Sequence, residues 1–378
     1  MIYLDNAATS FPKPAECLQR ALDRYLQIGA SPGRGGYDRA VEAETAVSTV
    51  RKKLCRFFGA DEAHRVCFTY NATDALNLLI HGLVQPGSHV VSSRLEHNSV
   101  LRPLHHLQRQ SRISFDLVPF NPDGFIEPDQ VSAAIRPATK LVILTHASNV
   151  LGTVQPVQEI AAACRARGVP LVLDASQSAG AVPIRIQDWG VQAIAFTGHK
   201  SLLGPTGIGG LVFSPELDPE PSRFGGTGID SRNLYHTQEY PYRLEAGTIN
   251  FLGILGLEAS LDYVDQSYTT SYAREMSLLG KLRDGLGAMP RLRLYGADRL
   301  DHHLPVLTCT VANHHSEDVA AILDGDFGIA VRAGLHCAPL VHQDLGTLEN
   351  GAVRFSLGPF TTEAEIDAAV GAMATIAG

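Results

Sequence analysis

A lysine just beyond one apolar run and an aspartate closing another make a pair with a definite chemistry. Lys200 follows Phe196-Thr197-Gly198-His199, and Asp174 ends an apolar run 26 residues earlier (200 − 174). The amine of such a lysine forms an imine with an aldehyde cofactor. A buried carboxylate keeps a pyridine nitrogen protonated, so that the ring takes up carbanion electrons. Pyridoxal 5'-phosphate (PLP) is the cofactor that requires both groups. A surface lysine and a helix-capping aspartate are the plainer reading of any such pair taken alone, and the surroundings must decide.

A phosphate needs free backbone N–H groups at a helix N-terminus, helped by hydroxyls. Asn71-Ala72-Thr73-Asp74 follows an apolar run and opens a helical stretch, so the Ala72 N–H and the Thr73 hydroxyl are candidates, with a plain helix cap as the alternative. Thr197 and His199, beside Lys200, are placed for the same phosphate. His97, in Glu96-His97-Asn98, has an imidazole suited to lie on a pyridine ring and shuttle protons; a structural hydrogen-bonder is its bland alternative. Gln177 is placed for the phenolic oxygen of the cofactor, and Asn149 for that oxygen or a substrate carboxylate.

Cys337 lies in a turn-like segment with Arg332 and His336 nearby. Positive neighbours lower a thiol pKa and favour the nucleophilic thiolate. The alternative is a small buried hydrophobe, which is how Cys17, Cys55, Cys67, Cys164 and Cys309 read. Arg354 has a bidentate fork suited to an α-carboxylate, or to an ordinary surface ion pair. Two nucleotide motifs fail. Gly198-His199-Lys200-Ser201 lacks the preceding glycine of a phosphate loop, and the glycines of 204–210 come before a strand instead of between a strand and a helix. The paired histidines at 105–106, 302–303 and 314–315 are neighbours that cannot share a face, so no metal site is expected.

These residues need a scaffold that gathers them. From 66 to about 214, short apolar runs at 66–69, 89–92, 113–118, 140–145, 170–173, 193–196 and 209–213 alternate with helical stretches at 72–82, 98–110 and 157–167. Runs apolar at consecutive positions predict strands covered on both faces, hence an α/β fold with a mainly parallel, doubly wound sheet. Ligands of such sheets collect at the carboxyl ends of strands, where Thr73, His97, Asn149, Asp174 and Lys200 all fall. Residues 214–250 read as loops or a hairpin. A helix from 254 to about 286 leads into strands near 306–311 and 353–356. The expected organisation is a large domain at 15–254 and a smaller α+β domain at 255–378, with an N-terminal arm at 1–14 packing alongside.

The 378 residues are 45% hydrophobic and 19% charged, with a net charge of −8. That is a globular composition without the basic surface of a nucleic-acid or anionic-membrane binder. No apolar run approaches the roughly 20 residues that span a bilayer, and no leader-like segment opens the chain. Six cysteines without paired spacing point to free thiols in a reducing cytoplasm.

In combination, the motifs resemble a known family. Tyr3-Leu4-Asp5-Asn6-Ala7-Ala8-Thr9, Glu96-His97-Asn98, His146-Ala147-Ser148-Asn149-Val150-Leu151-Gly152, Asp174-Ala175-Ser176-Gln177, Gly198-His199-Lys200, Glu245-Ala246-Gly247-Thr248 and Arg332-Ala333-Gly334-Leu335-His336-Cys337 occur in one order. That order resembles the cysteine desulfurase and selenocysteine lyase family, class V aminotransferase-like enzymes of PLP fold type I, in its branch with a short catalytic loop. The resemblance implies a homodimer that takes L-cysteine to L-alanine and passes sulfur to an acceptor protein or small thiol. Lys200 would be the Schiff-base lysine, Asp174 the partner of the ring nitrogen, and His97 the stacking residue. Gln177 would meet the phenolic oxygen, while Ala72, Thr73, Thr197 and His199 hold the phosphate with Thr248 from the second subunit. Asn149, Arg332 and Arg354 would bind substrate, and Cys337 would carry the persulfide. Three positions depart from the family: Leu335 replaces a second histidine, Ala72 a threonine, and Tyr37 a histidine. L-selenocysteine as substrate, a carbon–sulfur lyase that does not need Cys337, and a non-catalytic scaffold are the alternatives.

Overall fold

The computed structural model describes residues 1–33, 35–229, 231–296 and 298–378; Arg34, in the 32–37 segment that holds Tyr37, lies outside them. The strands are β1 (Ile2–Tyr3), β2 (Arg65–Thr69), β3 (Ser88–Ser93), β4 (Ile113–Val118), β5 (Thr139–Thr145), β6 (Leu171–Asp174), β7 (Ala193–Thr197), β8 (Gly209–Phe213), β9 (Leu292–Tyr295), β10 (Val306–Val311), β11 (Ile329–Ala330), β12 (Arg332–Gly334) and β13 (Ala352–Ser356). The helices are α1 (Ala15–Ile28), α2 (Asp38–Phe57), α3 (Ala72–Leu83), α4 (Asn98–Arg109), α5 (Pro128–Ala134), α6 (Val157–Ala166), α7 (Ile186–Trp189), α8 (Phe251–Gly287), α9 (Ser316–Phe327), α10 (Pro339–Leu345) and α11 (Glu363–Ala377).

The central sheet has seven strands in the order β2-β8-β7-β6-β5-β3-β4. All run in one direction except β8, which is antiparallel to both β2 and β7. The α/β, mainly parallel sheet expected from the sequence is therefore present. Apart from the edge strand β4, which is buried only at its two ends, its strands are covered on both faces, and the alternation is visible in the two cores. Val142, Leu144, Leu171, Leu173, Ile194 and Phe196 pack on one side with α2, α6 and the start of α8. Leu141, Ile143, Val172, Ala193 and Ala195 pack on the other with α3 and α4. Because the side-chain period of a strand is two, a continuous apolar run feeds both layers at once.

A four-stranded antiparallel sheet, β12-β13-β10-β9, forms a third core with α9, α11 and the second half of α8. The 37-residue α8 serves two cores: Phe251, Ile254 and Leu257 belong to the first, and Leu278, Leu282 and Leu286 to the third. The chain start is stitched to this region. β1 pairs in parallel with β11, and Leu4 is fully buried in the third core. Among the described residues, 214–250 contain no strand, so the loop reading of that segment holds and the hairpin does not.

One long-range ion pair fixes the segment before α8. Arg51 of α2 grips Glu245 with two bonds of 2.7 Å, and Glu245 also accepts the Phe68 N–H at 2.6 Å. Glu245 is buried, so an unpaired charge there is costly. Arg51→Met is expected to destabilise the protein by about 3–5 kcal/mol. Denaturant titration checks this, and a loss below about 1 kcal/mol contradicts it.

Candidate active site

β2 runs with β7, so β2, β3, β5, β6 and β7 all end on one edge of the sheet. A cavity of about 300 Å3 lies there, closed on its other side by Arg332, His336, Cys337 and Arg354 from the C-terminal part of the chain. It is lined by Ala72, Thr73, His97, Asn149, Asp174, Gln177, Thr197, His199 and Lys200, with Ala7 and Ala8 from the chain start. Of the residues given a catalytic, cofactor-binding or substrate-binding role from the sequence, Thr248 alone lies elsewhere. It is exposed, outside the cavity of its own chain.

Asp174 ends β6 and is 4% exposed. One carboxylate oxygen accepts the Ser176 N–H at 2.9 Å and the Ser176 hydroxyl. The other has no hydrogen-bond partner among the described residues. Lys200 sits in the turn after β7, held by the His199 carbonyl, which accepts the Ser10 N–H at 3.1 Å and the Lys13 ammonium at 3.0 Å. Burial pushes the Lys200 amine down to about 8, against the opposing pull of Asp174. Roughly a tenth of the amine is therefore neutral at pH 7, far more than for an ordinary lysine, and an imine-forming or proton-accepting amine must be neutral.

His97 is the N-cap of α4, and its Nδ1 accepts the Ser99 N–H at 3.0 Å. That bond places the imidazole proton on Nε2. Burial pushes His97 down to about 4, with Lys200, Arg102 and Arg332 adding to the effect and Asp174 opposing it. The Ser99 hydroxyl lies 2.8 Å from His97 Nδ1 and 2.7 Å from Thr73 Oγ1. Ser99 thus couples two predicted site residues, and sequence reading missed it. No local signal marked it: the N-cap bond comes from a backbone N–H that any non-proline residue supplies, and the second partner of the hydroxyl, Thr73, lies on another helix.

Asn71, not Thr73, caps α3, accepting the Asp74 N–H at 3.0 Å. The plain-cap alternative therefore belongs to the neighbour, and Thr73 keeps its place on the cavity wall. Thr197 Oγ1 and His199 Nδ1, which line the same cavity, are buried with no hydrogen-bond partner. Buried polar atoms are rarely left unpaired. Two such atoms beside the N-terminus of α3 fit an anionic group such as a phosphate, and with Lys200 and Asp174 the residues present fit PLP.

Cys337 lies between β12 and α10 and is exposed, unlike the buried Cys17, Cys67, Cys164 and Cys309 and the half-buried Cys55. His336 and Cys337 have φ of 50° and 57°, two successive left-handed residues that are not glycine. Each such residue costs about 1–2 kcal/mol. Two bonds across the cavity offset this: Asn98 N–H donates to the Cys337 carbonyl at 2.7 Å, and the Asn149 amide to the His336 carbonyl at 2.6 Å. The loop is thus short and tied down. The expectation that His336 is a positive neighbour of the thiol is corrected. Burial first, then the nearby Arg354 charge, holds its imidazole well below the ordinary histidine value, so it is neutral near pH 7. Its Nδ1 meets His342 Nε2 at 3.1 Å instead.

Arg354 is 2% exposed, which excludes the surface ion pair. It donates to Asp5 at 2.8 Å and to the Asn149 carbonyl at 3.0 Å, while its buried Nε has no partner. Arg332 is exposed and 3.9 Å from Asp5.

Comparison with known proteins agrees with this geometry. The family described as "Aminotransferase class-V" matches residues 2–369. A cysteine desulfurase of Serratia proteamaculans is 33% identical, covering 100% of this chain and 93% of that protein. A probable cysteine desulfurase of Methanothermobacter thermautotrophicus is 32% identical, over 97% of this chain and 92% of that protein. Among solved structures, the apo cysteine desulfurase from Thermococcus onnurineus NA1 superimposes with a TM-score of 0.93 at 32% identity, covering 100% of this chain and 94% of that one. The fold is thus the one that the motif order implied. With its whole length matched by both sequence and structure, the chain belongs to the aminotransferase class-V family.

Proposed function

We propose that this chain is a PLP-dependent cysteine desulfurase, converting L-cysteine to L-alanine and leaving a persulfide on Cys337. The observation that carries the reading is the meeting of Lys200 and Asp174 with an exposed thiol, Cys337, in one cavity. Full-length relatives named as cysteine desulfurases support it. When bound, PLP supplies an electron sink for charge developing at the substrate α-carbon.

Asp174 would hold the ring nitrogen in its protonated form, His97 would cover the ring, and Gln177 would meet the phenolic oxygen. The Ala72 N–H, Thr73, Thr197 and His199 would hold the phosphate. Lys200 would anchor the cofactor and take the α-proton onto its Nζ. Arg354, through its unpaired Nε, acts with Arg332 and Asn149 on the substrate carboxylate. The Cys337 thiolate attacks the substrate sulfur. A sulfur–sulfur bond forms as the Cβ–sulfur bond breaks, and the electron pair left on carbon takes a proton. An acceptor protein or small thiol then removes the sulfur.

The protein works as a homodimer, with Thr248 completing the partner's phosphate site. Its exposure supports this, as do the exposed Phe224, Tyr235 and Leu234, the last 99% exposed. The proposed organisation is a large domain at 15–254 and a small one at 255–378, with the arm at 1–14 alongside; the third core supports the small domain, while the boundary itself falls inside α8, whose Leu255, Leu257 and Leu261 still pack in the first core. No helix among the described residues is long and apolar enough to cross a membrane. The free thiols suit a reducing cytoplasm.

The test is intact-mass spectrometry after incubation with L-cysteine: one added sulfur atom, mapped to Cys337, is expected. A wild type that ignores L-cysteine yet turns over L-selenocysteine overturns the choice of substrate. Two further results are expected. The rate of covalent PLP uptake by the cofactor-free protein should rise with pH as Lys200 loses its proton. It should level off above about 8, not climb on towards 10.5. An absorbance-based rate profile reads this. Ser99→Ala, which removes the hydroxyl shared by His97 and Thr73 but keeps the backbone N–H bond to His97 Nδ1, should weaken PLP binding about tenfold in a fluorescence titration. Unchanged affinity would show that the Ser99 bonds are incidental.

A further inference from the structure

A second depression opens beside the first, and Cys337 stands where they meet. It is a groove of about 440 Å3 between α3 and α4, sharing Thr73, His97, Ser99 and Cys337 with the cavity already described. α3 contributes Thr73, Asn77 and His81, and α4 contributes Asn98, Arg102 and His106. Each set is spaced by four, so each forms a stripe on one helix face, and the two stripes form the opposing walls.

The walls are polar, and no carboxylate lines them. Asp74, adjacent to Thr73, is engaged with Arg223 at 3.3 Å and with the Tyr70 N–H. Arg102 is exposed and has no hydrogen-bond or ion-pair partner among the described residues. Its charge is felt at His97, at the inner end of the groove. An unpaired guanidinium in a carboxylate-free groove is complementary to an anion.

The position of Cys337 says what such an anion is for. Its carbonyl is tied to the Asn98 N–H and the neighbouring His336 carbonyl to Asn149, so the thiol does not swing out on a long loop. A sulfur acceptor must come to it. We infer that the groove is the acceptor subsite, and that it takes a low-molecular-weight thiol bearing a carboxylate, with the carboxylate on Arg102 and the sulfur at Cys337. The volume is that of a small-molecule site. This rests on the proposed persulfide and names its consumer. The incoming thiolate attacks the outer sulfur of the Cys337 persulfide. The new sulfur–sulfur bond forms, the old one breaks, and the Cys337 thiolate leaves. The acceptor departs as a persulfide, with no net oxidation.

The experiment loads the PLP-bound enzyme with L-cysteine, removes excess substrate, and follows persulfide discharge by mass spectrometry. The probes are 3-mercaptopropionate, anionic, and 2-mercaptoethanol, neutral, compared at equal thiolate concentration. The wild type is expected to favour the anionic thiol about tenfold, and this preference should shrink as salt is raised. Arg102→Gln should abolish it and Arg102→Lys should keep most of it. Equal discharge by both thiols in the wild type, or an undiminished preference in Arg102→Gln, overturns the assignment and leaves a macromolecular acceptor as the sulfur carrier. If no persulfide loads at all, the desulfurase reading falls first. If it loads but shows no preference, the acceptor subsite alone falls.

Discussion

Lys200→Ala is expected to lower L-cysteine turnover by at least about 10^4-fold, because one side chain is asked both to anchor the cofactor and to move the α-proton. Lys200→Arg should fare no better, since a guanidinium does not give up its proton near neutral pH and cannot form the imine. Borohydride reduction followed by peptide mapping provides a readout independent of turnover: the wild type should carry the reduced cofactor on residue 200. Lys13 is the natural competitor. Burial pushes its amine down to about 8 as well, but its Nζ is engaged with Ser10 Oγ at 2.8 Å and the His199 carbonyl at 3.0 Å, and it does not line the cavity. A label found on Lys13, or near-normal turnover in Lys200→Ala, would remove the basis of the proposed function.

Cys337→Ala is the second large effect. Without a thiol to take the sulfur, alanine formation from L-cysteine should drop about 10^3-fold, and no sulfur should be retained on the protein. Stability should change little. Alanine at a φ of 57° meets the same backbone cost as cysteine, and the exposed side chain makes few contacts. PLP content and melting temperature are therefore the controls, and both should match the wild type. Full activity in Cys337→Ala would instead identify a carbon–sulfur lyase that needs no thiol. Activity kept on L-selenocysteine but lost on L-cysteine would show only that selenium leaves without nucleophilic help.

Much of the scaffold was legible because buried parallel strands announce themselves. The runs at 113–118 and 209–213 coincide with β4 and β8, and the other five differ from the observed strands by a residue or so at their ends. Strand ends fix the site residues in turn, since a parallel sheet delivers every carboxyl end to one edge. Other features were not legible, for a common reason: they depend on pairs far apart in the chain. Nothing near Arg354 in sequence says that Asp5 is its partner, and nothing near Arg51 points to Glu245. The charge of His336 was misjudged because its protonation depends on burial and on Arg354, both products of the fold.

By itself the sequence determined which chemistry was on offer: an amine and a carboxylate at strand ends, a helix start with a hydroxyl, and a thiol in a tight turn. Those are local facts, set by residue type and by the period of side-chain burial. Only the tertiary structure decided how the groups are tuned and which of them meet. It lowered the Lys200 amine by burial, turned His97 so that its Nε2 carries the proton, and tied the Cys337 turn to Asn98 and Asn149. It also set an unpaired Arg102 in a groove leading to the thiol. Desolvation and hydrogen-bond geometry are properties of the packed surroundings, and those surroundings come together only when distant segments of the chain close around one cavity.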